Sequence, residues 1–590
     1  METGPGRVGE KSTAGSSKPA EKQLVPPPVQ FYIPLNVALW VTLLSHSFAA
    51  LRAPIQDCDE TYNYWEPLHY LNHGSGLQTW EYSPEYSIRS WAYILIHALP
   101  TKLIHLITGS KTFEFYGLRL VFALICASTE VRLYSAISRT LNPRIGVFYL
   151  MIAAFTPGFF YASIAFLPSS FAMYTSTLGL TAFMDWHNGG PKTAQGIMWF
   201  GIGALLGWPF AGALILPFVF EDWLSAILMS NTFDLFRRYL DEPWHYYIRN
   251  LLLNFNAFFL LSLASFPMLV IQTLFFRGQT TKQTVFRTII LLSPFYLWLA
   301  IFTMQPHKEE RFMYPAYPFL ALNAAIALHM LLTWLGHRPT NTNSLLAKIP
   351  ARAKLFVILL TVFLTLNISL LRTLGTVTAY QAPLKIYSHL PAHSRSSPST
   401  GSVPASSQAQ VNVCLAKDWY RFPTSFLLPS KPPHRPKFLP SKFKGLLPGE
   451  FSEAKYTVGL FGGTHLVPSG MNDRNEEDVH KYIDSVEHCD FLVDSYFPSK
   501  EEGGGGEVEK GGSGGHDGDV EEPAYVLDTE KWEKVACEPF LDTARSGVLG
   551  RVMWVPGVEE LGWKEEDLPR WMRRVWGEHC LLKRRRADEV

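Results

Sequence analysis

Residues 57–69 place carboxylates and aromatic rings close together directly after an apolar stretch. Six acidic residues and no Lys or Arg occur between Asp57 and Glu85. Aromatic residues are interleaved with them: Tyr62, Tyr64, Trp65, Trp80 and Tyr82. Carboxylates accept protons in general base catalysis, and aromatic faces with polar edges suit sugar rings. The segment is therefore a candidate catalytic loop; the alternative is an acidic loop with an aromatic belt at a membrane interface.

A second group of chemically active residues is basic and lies far along the chain. His307, Lys308 and Arg311 follow an apolar run, and Lys308 and Arg311 share one face if the segment is helical. Two or three cationic donors there can hold a phosphate group. The alternative is that these cations cap a helix end and reach out of the membrane.

The elements that position both groups are long apolar runs. Hydrophobic residues make up 47% of the 590 residues and charged residues only 17%, whereas ordinary soluble domains carry about 25% charged residues. A membrane-crossing helix needs roughly 20 apolar residues. The sequence predicts a mostly α polytopic membrane protein with about 11 transmembrane helices. Their predicted positions are residues 34–51, 88–107, 117–137, 145–165, 168–186, 194–209, 211–229, 250–275, 286–304, 312–335 and 354–373.

Orientation follows from charge and from the number of spans. Residues 1–30 are rich in Gly, Ser, Pro and Lys and are predicted to be a disordered cytosolic tail. The first span is typical of a signal anchor with a cytosolic N-terminus. Counting spans then puts the loop 52–88, the segment 304–312 and the C-terminal region on one non-cytosolic side. The basic run 583–586 resembles a cytosolic tail, which would shift this count by one, but a solvated lumenal charge run is the plainer interpretation.

Two loops on one side of a membrane offer complementary chemistry. A carboxylate of the first can deprotonate an acceptor hydroxyl, and cations of the second can stabilise a leaving phosphate. This combination suits transfer of a sugar from a lipid phosphate to a hydroxyl. A monophosphate leaving group makes little demand for a divalent metal, and no CxxC pair indicates a zinc site, so neither metal nor cofactor is predicted. The formal net charge of +1 and the lack of a nucleic-acid motif argue against nucleic acid as a partner.

Four parts of the sequence resemble the dolichyl-phosphate-mannose-dependent mannosyltransferases, in particular their alpha-1,2 members in asparagine-linked glycosylation. These parts are residues 57–67 (DCDETYNYWEP) with 76–84 and 88–90, residues 307–312 (HKEERF), residues 207–210 and residues 414–423. The resemblance covers about residues 31–590 except for one acidic, Gly-rich segment. It implies a GT-C glycosyltransferase fold in the endoplasmic reticulum membrane, with the active site facing the lumen and a transmembrane catalytic domain over residues 31–375.

The resemblance also implies the reaction and its partners. The donor is expected to be dolichyl-phosphate-mannose, and the acceptor the dolichyl-diphosphate-linked oligosaccharide, which receives its seventh and ninth mannose in alpha-1,2 linkage. A beta-linked donor and an alpha-linked product imply a single inverting displacement. Neither the resemblance nor the residues indicate a protein partner.

Roles carried over from the family fall on matching positions of this chain. Asp59 is the expected general base for the 2-hydroxyl of the acceptor mannose. Glu60 is expected either to orient the acceptor or to act as the base instead, and Asp57 is the weaker third option. His307, Lys308 and Arg311 are expected to hold the donor phosphate. The remaining expected substrate-binding residues are Asp57, Tyr64, Trp65, Glu66, His69, Trp80, Glu81, Arg89 and Glu309. For the aromatic residues packing is an equal alternative, and for Arg89 a pairing with a loop carboxylate is favoured.

The C-terminal part changes to a soluble composition. Residues 376–410 are predicted to be a linker and residues 411–590 a lumenal α/β domain, with strands near 456–461 and 491–494 and a helix over 475–488. Residues 499–523 are predicted to be a disordered Gly-rich acidic insertion. Four of the six cysteines lie in this region, and the sequence does not assign their pairing.

Two other readings remain open. A sister mannosyltransferase with the same donor would make an alpha-1,6 linkage on the lipid-linked oligosaccharide or act on glycosylphosphatidylinositol precursors. A polytopic lipid transporter or scaffold would tolerate neutralisation of Asp59. The few scattered polar residues within the spans, such as Glu130, Arg132 and Asp185, do not form the relay expected of a proton-coupled transporter.

Overall fold

The computed structural model describes residues 32–185, 192–219, 243–275, 281–336, 349–391, 410–451, 463–498, 523–555 and 565–585. The predicted tail over residues 1–30 and the predicted strand over 456–461 lie outside these ranges. So does the predicted insertion over 499–523, except for its last residue.

The described chain before residue 391 is mostly helical, as predicted. The helices are α1 (Leu35–Arg52), α2 (Glu66–His73), α3 (Trp91–Thr108), α4 (Lys111–Thr140), α5 (Pro143–Phe155), α6 (Pro157–Ala162), α7 (Pro168–Met184), α8 (Lys192–Ile202), α9 (Tyr246–Phe255), α10 (Ala257–Phe275), α11 (Lys282–Met304), α12 (Tyr317–Gly336) and α13 (Ala351–Tyr380). Within the described ranges, five helical segments are long and apolar enough to cross a membrane. They are Lys111–Thr140, Ala257–Phe275, Lys282–Met304, Glu310–Gly336 and Ala351–Tyr380.

Two predicted spans are broken by local backbone geometry. The span 145–165 is divided into α5 and α6 because Pro157 begins the second helix. Pro suits this first position, since a backbone N–H there would have no partner within the helix. The span 250–275 is divided into α9 and α10 at Asn256, whose φ of +50° takes the chain out of the helical region.

The helices α1 and α4 are antiparallel neighbours. Arg119 donates to the Ala53 carbonyl over 2.7 Å at the end of α1. The Tyr134 hydroxyl donates to the Ile33 carbonyl over 2.8 Å just before the start of α1. Therefore α4 begins at the end of the helix bundle where α1 finishes. We call this end, which carries residues 53–110, the loop face.

The helix α3 occupies the predicted span 88–107, but it does not carry the chain across the bundle. Because residues 53 and 119 lie at the same face, the chain between them makes no net crossing. Asn72 of α2 donates to the Thr101 hydroxyl of α3 over 2.8 Å, which holds the two helices together at this face. The helix packs on its neighbours through one side, whereas Leu99, Leu106 and Ile107 on the other side are exposed. A hydropathy window does not distinguish such a helix, apolar on both sides, from a membrane span.

The helix α13 is longer than the apolar run 354–373 from which a span was predicted. Residues 376–391 were expected to belong to a linker, but α13 continues to Tyr380 and short helical turns follow at Ala382–Lys385 and Ile386–His389. Arg574 stabilises this extension, because it donates to the Gly375 carbonyl over 3.2 Å and to the Thr378 hydroxyl over 3.1 Å. The predicted linker is therefore wrong over residues 376–391.

The C-terminal part contains a five-stranded sheet in the order β3-β2-β5-β7-β6. Its strands are β2 (Val411–Leu415), β3 (His434–Phe438), β5 (Phe491–Tyr496), β6 (Trp532–Leu541) and β7 (Trp576–Arg584), while β1 (Leu77–Gln78) and β4 (Gly449–Glu450) form a separate pair. The first three are parallel and β7 is antiparallel to both neighbours. The predicted strand at 491–494 is confirmed within β5.

Three further features of this part were not predicted. Disulfides join Cys414 to Cys489 and Cys537 to Cys580. The predicted helix over 475–488 is wrong: the chain makes only two short 3-10 turns there, each begun by a side chain that accepts from the backbone, Asp478 and Ser485. The basic run 583–586 includes Lys583 and Arg584, the last two residues of β7, so its first half belongs to the sheet.

The loop and the C-terminal part pack into one hydrophobic core with the bundle. The Thr61 hydroxyl lies within 3.1 Å of the carbonyls of Phe422 and Pro423. The two-stranded pair β1–β4 joins Leu77 of the loop to Glu450. Gly76 lets the loop pass close to α2, because a Cβ there would lie 2.5 Å from the Glu66 carbonyl oxygen. The C-terminal part therefore lies at the loop face.

Candidate active site at the loop face

The acidic motif begins with a short helical turn that fixes the direction of its carboxylates. Asp57 caps the turn Cys58–Glu60 by accepting from the Asp59 backbone N–H over 2.9 Å. A π-helical turn, Thr61–Trp65, follows and continues into α2. Such turns hold one residue more than an α-turn and are frequent at functional sites. The result is that Asp57 and Asp59 point away from the core, whereas Glu60 points into it.

The two motifs predicted from the sequence meet at Arg311. Its Nη1 lies 3.0 Å from Asp57 Oδ2, and its Nη2 lies 2.6 Å from Asp59 Oδ2. Its Nε contacts the carboxylate of Glu309. The guanidinium of Arg suits this role because its donors form a planar fork that matches several carboxylate oxygens at once. Residues 252 positions apart in the chain thus form one charged cluster.

The carboxylates of this cluster differ in burial. Burial raises the pKa of Asp57 to about 6, and the nearby Asp59 and Glu309 carboxylates act in the same direction, while Arg311 opposes them. The Asp59 side chain is 37% exposed, against 28% for Asp57. Asp59 is therefore the more accessible of the two carboxylates.

Glu60 is held inside the protein. Its Oε1 accepts from the indole N–H of Trp65 and from the backbone N–H of Phe166, each over 3.0 Å. Burial raises the pKa of Glu60, and these two hydrogen bonds act against the rise. In this arrangement Glu60 joins the motif to the segment between α6 and α7 and does not face the open side of the site.

A cleft of about 210 Å³ opens beside Asp59. The loop and the C-terminal part both line it. Its lining residues are Cys58, Asp59, Tyr62, Asn63, Thr79, Trp80, Glu81, Trp419, Phe443, Leu446, Leu447, Pro448 and Asn475. Of the predicted site residues, Asp59, Trp80 and Glu81 lie here together. Carboxylates beside aromatic rings in a cleft of this size suit one or two sugar rings.

Several cleft residues were not predicted, and they come from the C-terminal part. The Trp419 ring lies 4.5 Å from that of Phe443 and 6.2 Å from that of Tyr62, between centroids. Asn475 lies on the same wall. The only signal in the sequence was that Trp419 falls in the stretch 414–423, which resembles the family but carried no assigned role.

Arg89 pairs with loop carboxylates, as its favoured interpretation holds. It contacts both Glu81 oxygens, at 3.0 and 3.2 Å, and donates to the Tyr64 hydroxyl over 2.8 Å. Its Nη2 lies 3.9 Å from Asp59. Arg89 therefore fixes the Glu81 side of the cleft, and Tyr64, which is buried, supports Arg89 from behind.

Three predicted substrate-binding residues are packed inside the fold. Trp65, Glu66 and His69 are all buried. Glu66 accepts hydrogen bonds from Ser425 (backbone N–H at 2.6 Å, hydroxyl at 2.8 Å), from the Leu77 N–H at 3.2 Å and from the Thr424 hydroxyl at 3.2 Å. His69 contacts the Ser75 carbonyl through Nδ1. These contacts give the three residues positioning roles, and contact with a sugar stays a prediction.

The basic motif is divided between an exposed and a buried residue. The His307 side chain is 68% exposed and its Nε2 lies 2.6 Å from Glu309 Oε1. The Lys308 side chain is buried and donates to the Gln305 carbonyl over 2.6 Å. His307 and Arg311 therefore both present nitrogen atoms towards the carboxylate cluster.

Glu310, to which the sequence gave no role, anchors the basic motif. It is half-buried and accepts from Asn250 over 2.8 Å and from Asn254 over 2.9 Å, both on α9. Tyr247 of the same helix donates to the Glu309 carbonyl over 3.2 Å. These contacts hold the segment at a fixed height on the loop face.

A divalent metal at the acidic motif would compete with Arg311. Ligand atoms of Asp57, Cys58 and Asp59 lie within 4.8 Å of one another. However, the guanidinium of Arg311 already occupies the space between the two carboxylates. Burial and the two carboxylates raise the pKa of the Cys58 thiol to about 12, so the metal-binding thiolate form is disfavoured. The residues present are thus better matched to a protein cation than to a metal.

Comparison with known proteins gives consistent matches over nearly the whole chain. The chain is 34% identical to the alpha-1,2-mannosyltransferase alg9 of Schizosaccharomyces pombe, with 92% of this chain and 94% of the relative covered. It is 33% identical to the alpha-1,2-mannosyltransferase ALG9 of Homo sapiens, with 95% and 91% covered. Among solved structures, ArnT from Cupriavidus metallidurans bound to undecaprenyl phosphate matches with a TM-score of 0.35 at 14% identity, over 58% of this chain and 70% of that one.

The second solved structure is the Archaeoglobus fulgidus oligosaccharyltransferase in its apo form. It matches with a TM-score of 0.38 at 13% identity, over 66% of this chain and 59% of that one. A family model, the Alg9-like mannosyltransferase family, matches residues 37–241 and 237–429, which include both motifs and Trp419. The protein is therefore a mannosyltransferase and belongs to the Alg9-like mannosyltransferase family.

Proposed function

We propose that this enzyme transfers mannose from dolichyl-phosphate-mannose to the 2-hydroxyl of a mannose on the dolichyl-diphosphate-linked oligosaccharide, adding the seventh and the ninth mannose. The observation that carries the proposal is the 2.6 Å contact between Asp59 and Arg311 at the mouth of the cleft. It brings a proton acceptor and a phosphate-binding cation to one point, as transfer from a lipid phosphate to a hydroxyl requires.

The proposed step is a single inverting displacement. Asp59 takes the proton of the acceptor 2-hydroxyl, and the hydroxyl oxygen forms the new bond to the anomeric carbon of the donor. The bond from that carbon to the phosphate oxygen breaks, and its electron pair leaves on the phosphate. Arg311 and His307 stabilise the charge that develops there, with Lys308 holding the segment from beneath. A beta-linked donor then gives an alpha-linked product.

The acceptor sugar is assigned to the cleft. Trp80, Trp419 and Phe443 offer aromatic faces, while Asp59 and Glu81 offer acceptors for sugar hydroxyls. Because the C-terminal part supplies one wall, it takes part in acceptor choice. A sister activity has weaker support: the GPI mannosyltransferase 3 of Candida albicans is 24% identical over only 48% of this chain.

Residence in the endoplasmic reticulum membrane with a GT-C architecture and a lumenal active site is part of the same proposal. Both disulfides lie in the C-terminal part, which packs on the loop face beside the site. Disulfides form and persist in oxidising compartments and are rare in the cytosol. The acidic loop is also typical of a non-cytosolic segment, since Lys and Arg are retained on the cytosolic side.

Transfer without a divalent metal in the cleft is also part of the proposal, and the position of Arg311 between Asp57 and Asp59 supports it. A cation already lies between the site carboxylates, and a phosphate monoester leaves with less need of a divalent ion than a nucleotide diphosphate. We therefore expect transfer to proceed at the full rate without added Mg²⁺ or Mn²⁺. A rate that depends on added Mg²⁺ or Mn²⁺ would contradict this part of the proposal.

The test is an assay with purified protein, dolichyl-phosphate-mannose and a synthetic lipid-linked acceptor with six mannoses. Wild type is expected to add one alpha-1,2-mannose, and Asp59→Asn is expected to add none while remaining folded. Glu85→Gln is the matched control, because Glu85 is an exposed carboxylate of the same loop that does not line the cleft. Transfer that survives Asp59→Asn would move the base to Asp57 or Glu60. Lack of transfer by folded wild type would direct the search to the sister acceptors.

A further inference from the structure

A group of metal-ligating side chains lies apart from the cleft, where α2, α3 and α4 meet. His73 Nε2 lies 2.9 Å and His105 Nδ1 lies 2.7 Å from the same oxygen, Glu114 Oε1. The three side chains come from three different helices. Their ligand atoms all lie within 4.8 Å of one another. We propose that this cluster binds a divalent metal ion of the zinc class.

The surroundings of the cluster favour a metal over a simple ion pair. The Nδ1 atom of His105 is buried and lies 2.7 Å from Glu114 Oε1, but without the angle of a hydrogen bond. The other oxygen of Glu114 accepts from Asn72 Nδ2 over 3.0 Å, which fixes the orientation of the carboxylate. Asn72 is itself fixed by the Thr101 hydroxyl at 2.8 Å. Hydrogen-bonded supports of this kind are typical of metal sites.

The ligand set and its spacing suit zinc. Imidazole nitrogen and carboxylate oxygen bind zinc at about 2.0–2.2 Å, in sites that keep a further position for water. At those bond lengths two ligand atoms of a tetrahedral ion are about 3.3 Å apart. The nitrogen–oxygen distances of 2.7 and 2.9 Å would need to open by only about half an ångström. The His105 side chain is 44% exposed, so an ion can enter from solvent.

Other metal-compatible clusters in the described part of the chain are less suitable. His46, Cys126 and Glu130 lie fully buried between α1 and α4, where solvent has no access. The cluster that contains Cys537 and Cys580 has its sulfur atoms in a disulfide. The acidic motif already holds Arg311.

The consequence for the enzyme is mechanical. A metal at this point would join α2, which follows the acidic motif directly, to α3 and α4. It would therefore fix the catalytic loop to the bundle. The site lies outside the cleft, and the metal would take no part in the transfer step itself.

The experiment is metal analysis of the full-length protein in detergent, purified with a tag that lacks histidine. After dialysis against a chelating resin and addition of Zn²⁺ alone, wild type is expected to retain about one equivalent of zinc. The double variant His73→Ala/His105→Ala should retain none. If it does not fold, His105→Gln is the second variant, since this position is partly exposed. His480→Ala, an exposed histidine of the C-terminal part, should retain the metal.

X-ray absorption at the zinc edge identifies the ligands. Nitrogen and oxygen neighbours alone, near 2.0–2.1 Å, are expected, whereas the buried cluster with Cys126 would add sulfur near 2.3 Å. Wild type without stoichiometric zinc, zinc that persists in the double variant or in His105→Gln, or sulfur in the coordination sphere would each overturn the proposal.

Discussion

Replacing Arg311 by Lys separates its charge from its geometry. The guanidinium contacts Asp57 at 3.0 Å, Asp59 at 2.6 Å and also Glu309. A lysine keeps the positive charge but cannot form this fork, so about two of the three contacts are lost. Because the carboxylates are partly exposed, each lost contact costs about 1 kcal/mol or less. We expect the free energy of unfolding to fall by about 1–2 kcal/mol.

The effect on catalysis should be much larger than the effect on stability. Loss of one well-placed donor to a developing oxyanion costs about 2.7–4 kcal/mol, or a 10²–10³-fold loss in rate. We therefore expect Arg311→Lys to lower kcat/KM for dolichyl-phosphate-mannose by about that factor, with a melting temperature only a few degrees lower. Initial rates at varied donor and saturating acceptor measure this loss, and thermal unfolding measures stability.

The matched control is Arg89→Lys. Arg89 makes the same kind of forked contact, with Glu81 and Tyr64, and lies 3.9 Å from Asp59. Since Arg89 holds Glu81, which lines the acceptor cleft, its replacement should leave the donor KM unchanged. The reasoning is refuted if Arg311→Lys retains donor kcat/KM within about threefold of wild type, or if Arg89→Lys weakens donor use as strongly.

Three further predictions concern the supports of the site. Glu66→Gln should lower the free energy of unfolding by about 3 kcal/mol, because an amide cannot accept from all the donors around Glu66; unchanged denaturant unfolding would contradict this. Trp419→Ala should raise the acceptor KM by roughly three- to tenfold, because a lost aromatic contact costs about 0.5–1.5 kcal/mol. The donor KM should not change, and Trp571→Ala, at an exposed tryptophan, is the control. The folded-state pKa of Asp57, about 6, lies above its ordinary 3.8, so stability falls as pH rises between these values. The fall in the free energy of unfolding is at most about 3 kcal/mol, and Asp57→Asn should abolish it. Thermal unfolding measured from pH 4 to 7 tests this.

The pairing of the two motifs could be predicted from the sequence. Carboxylates without cations in one loop and cations in another are electrostatically complementary. The span count that put both on one side included residues 88–107, which do not cross the bundle. The structure brings Asp59 and Arg311 into contact accordingly. The sequence did not indicate that Arg311 already contacts carboxylates of the acidic motif before any phosphate is present.

Other features depend on contacts that no local pattern reveals. Glu60 points inward because its carboxylate accepts from Trp65 and from Phe166, 106 residues later, so the sequence alone did not distinguish an inward Glu60 from an outward Asp59. Trp419 reaches the cleft because the segment around it bonds to Thr61, 361 residues earlier. Helix α3 matched an apolar window because its exposed side, with Leu99, Leu106 and Ile107, is as apolar as its packed side.

The charge balance of the site leads to one further prediction, on donor binding. The guanidinium of Arg311 contacts three carboxylates, those of Asp57, Asp59 and Glu309. One positive charge therefore faces up to three negative charges. A phosphodiester donor adds another negative charge and competes for Arg311. Both effects favour the protonated form of Asp57, whose pKa is already raised to about 6. Donor binding should therefore be coupled to proton uptake by Asp57.

The sign of this coupling is fixed by linkage. If the donor raises the pKa of Asp57, a proton on Asp57 must strengthen donor binding by the same factor. We expect the dissociation constant of dolichyl-phosphate-mannose to rise as pH increases from about 6 to 8, up to tenfold for each unit by which the pKa is raised. Asp57→Asn, which mimics the neutral form and preserves the helix cap, should bind the donor with little pH dependence, whereas Glu85→Gln should behave as wild type. Equal slopes in Asp57→Asn and wild type would show that the proton is taken up elsewhere, with His307 as the next group to test.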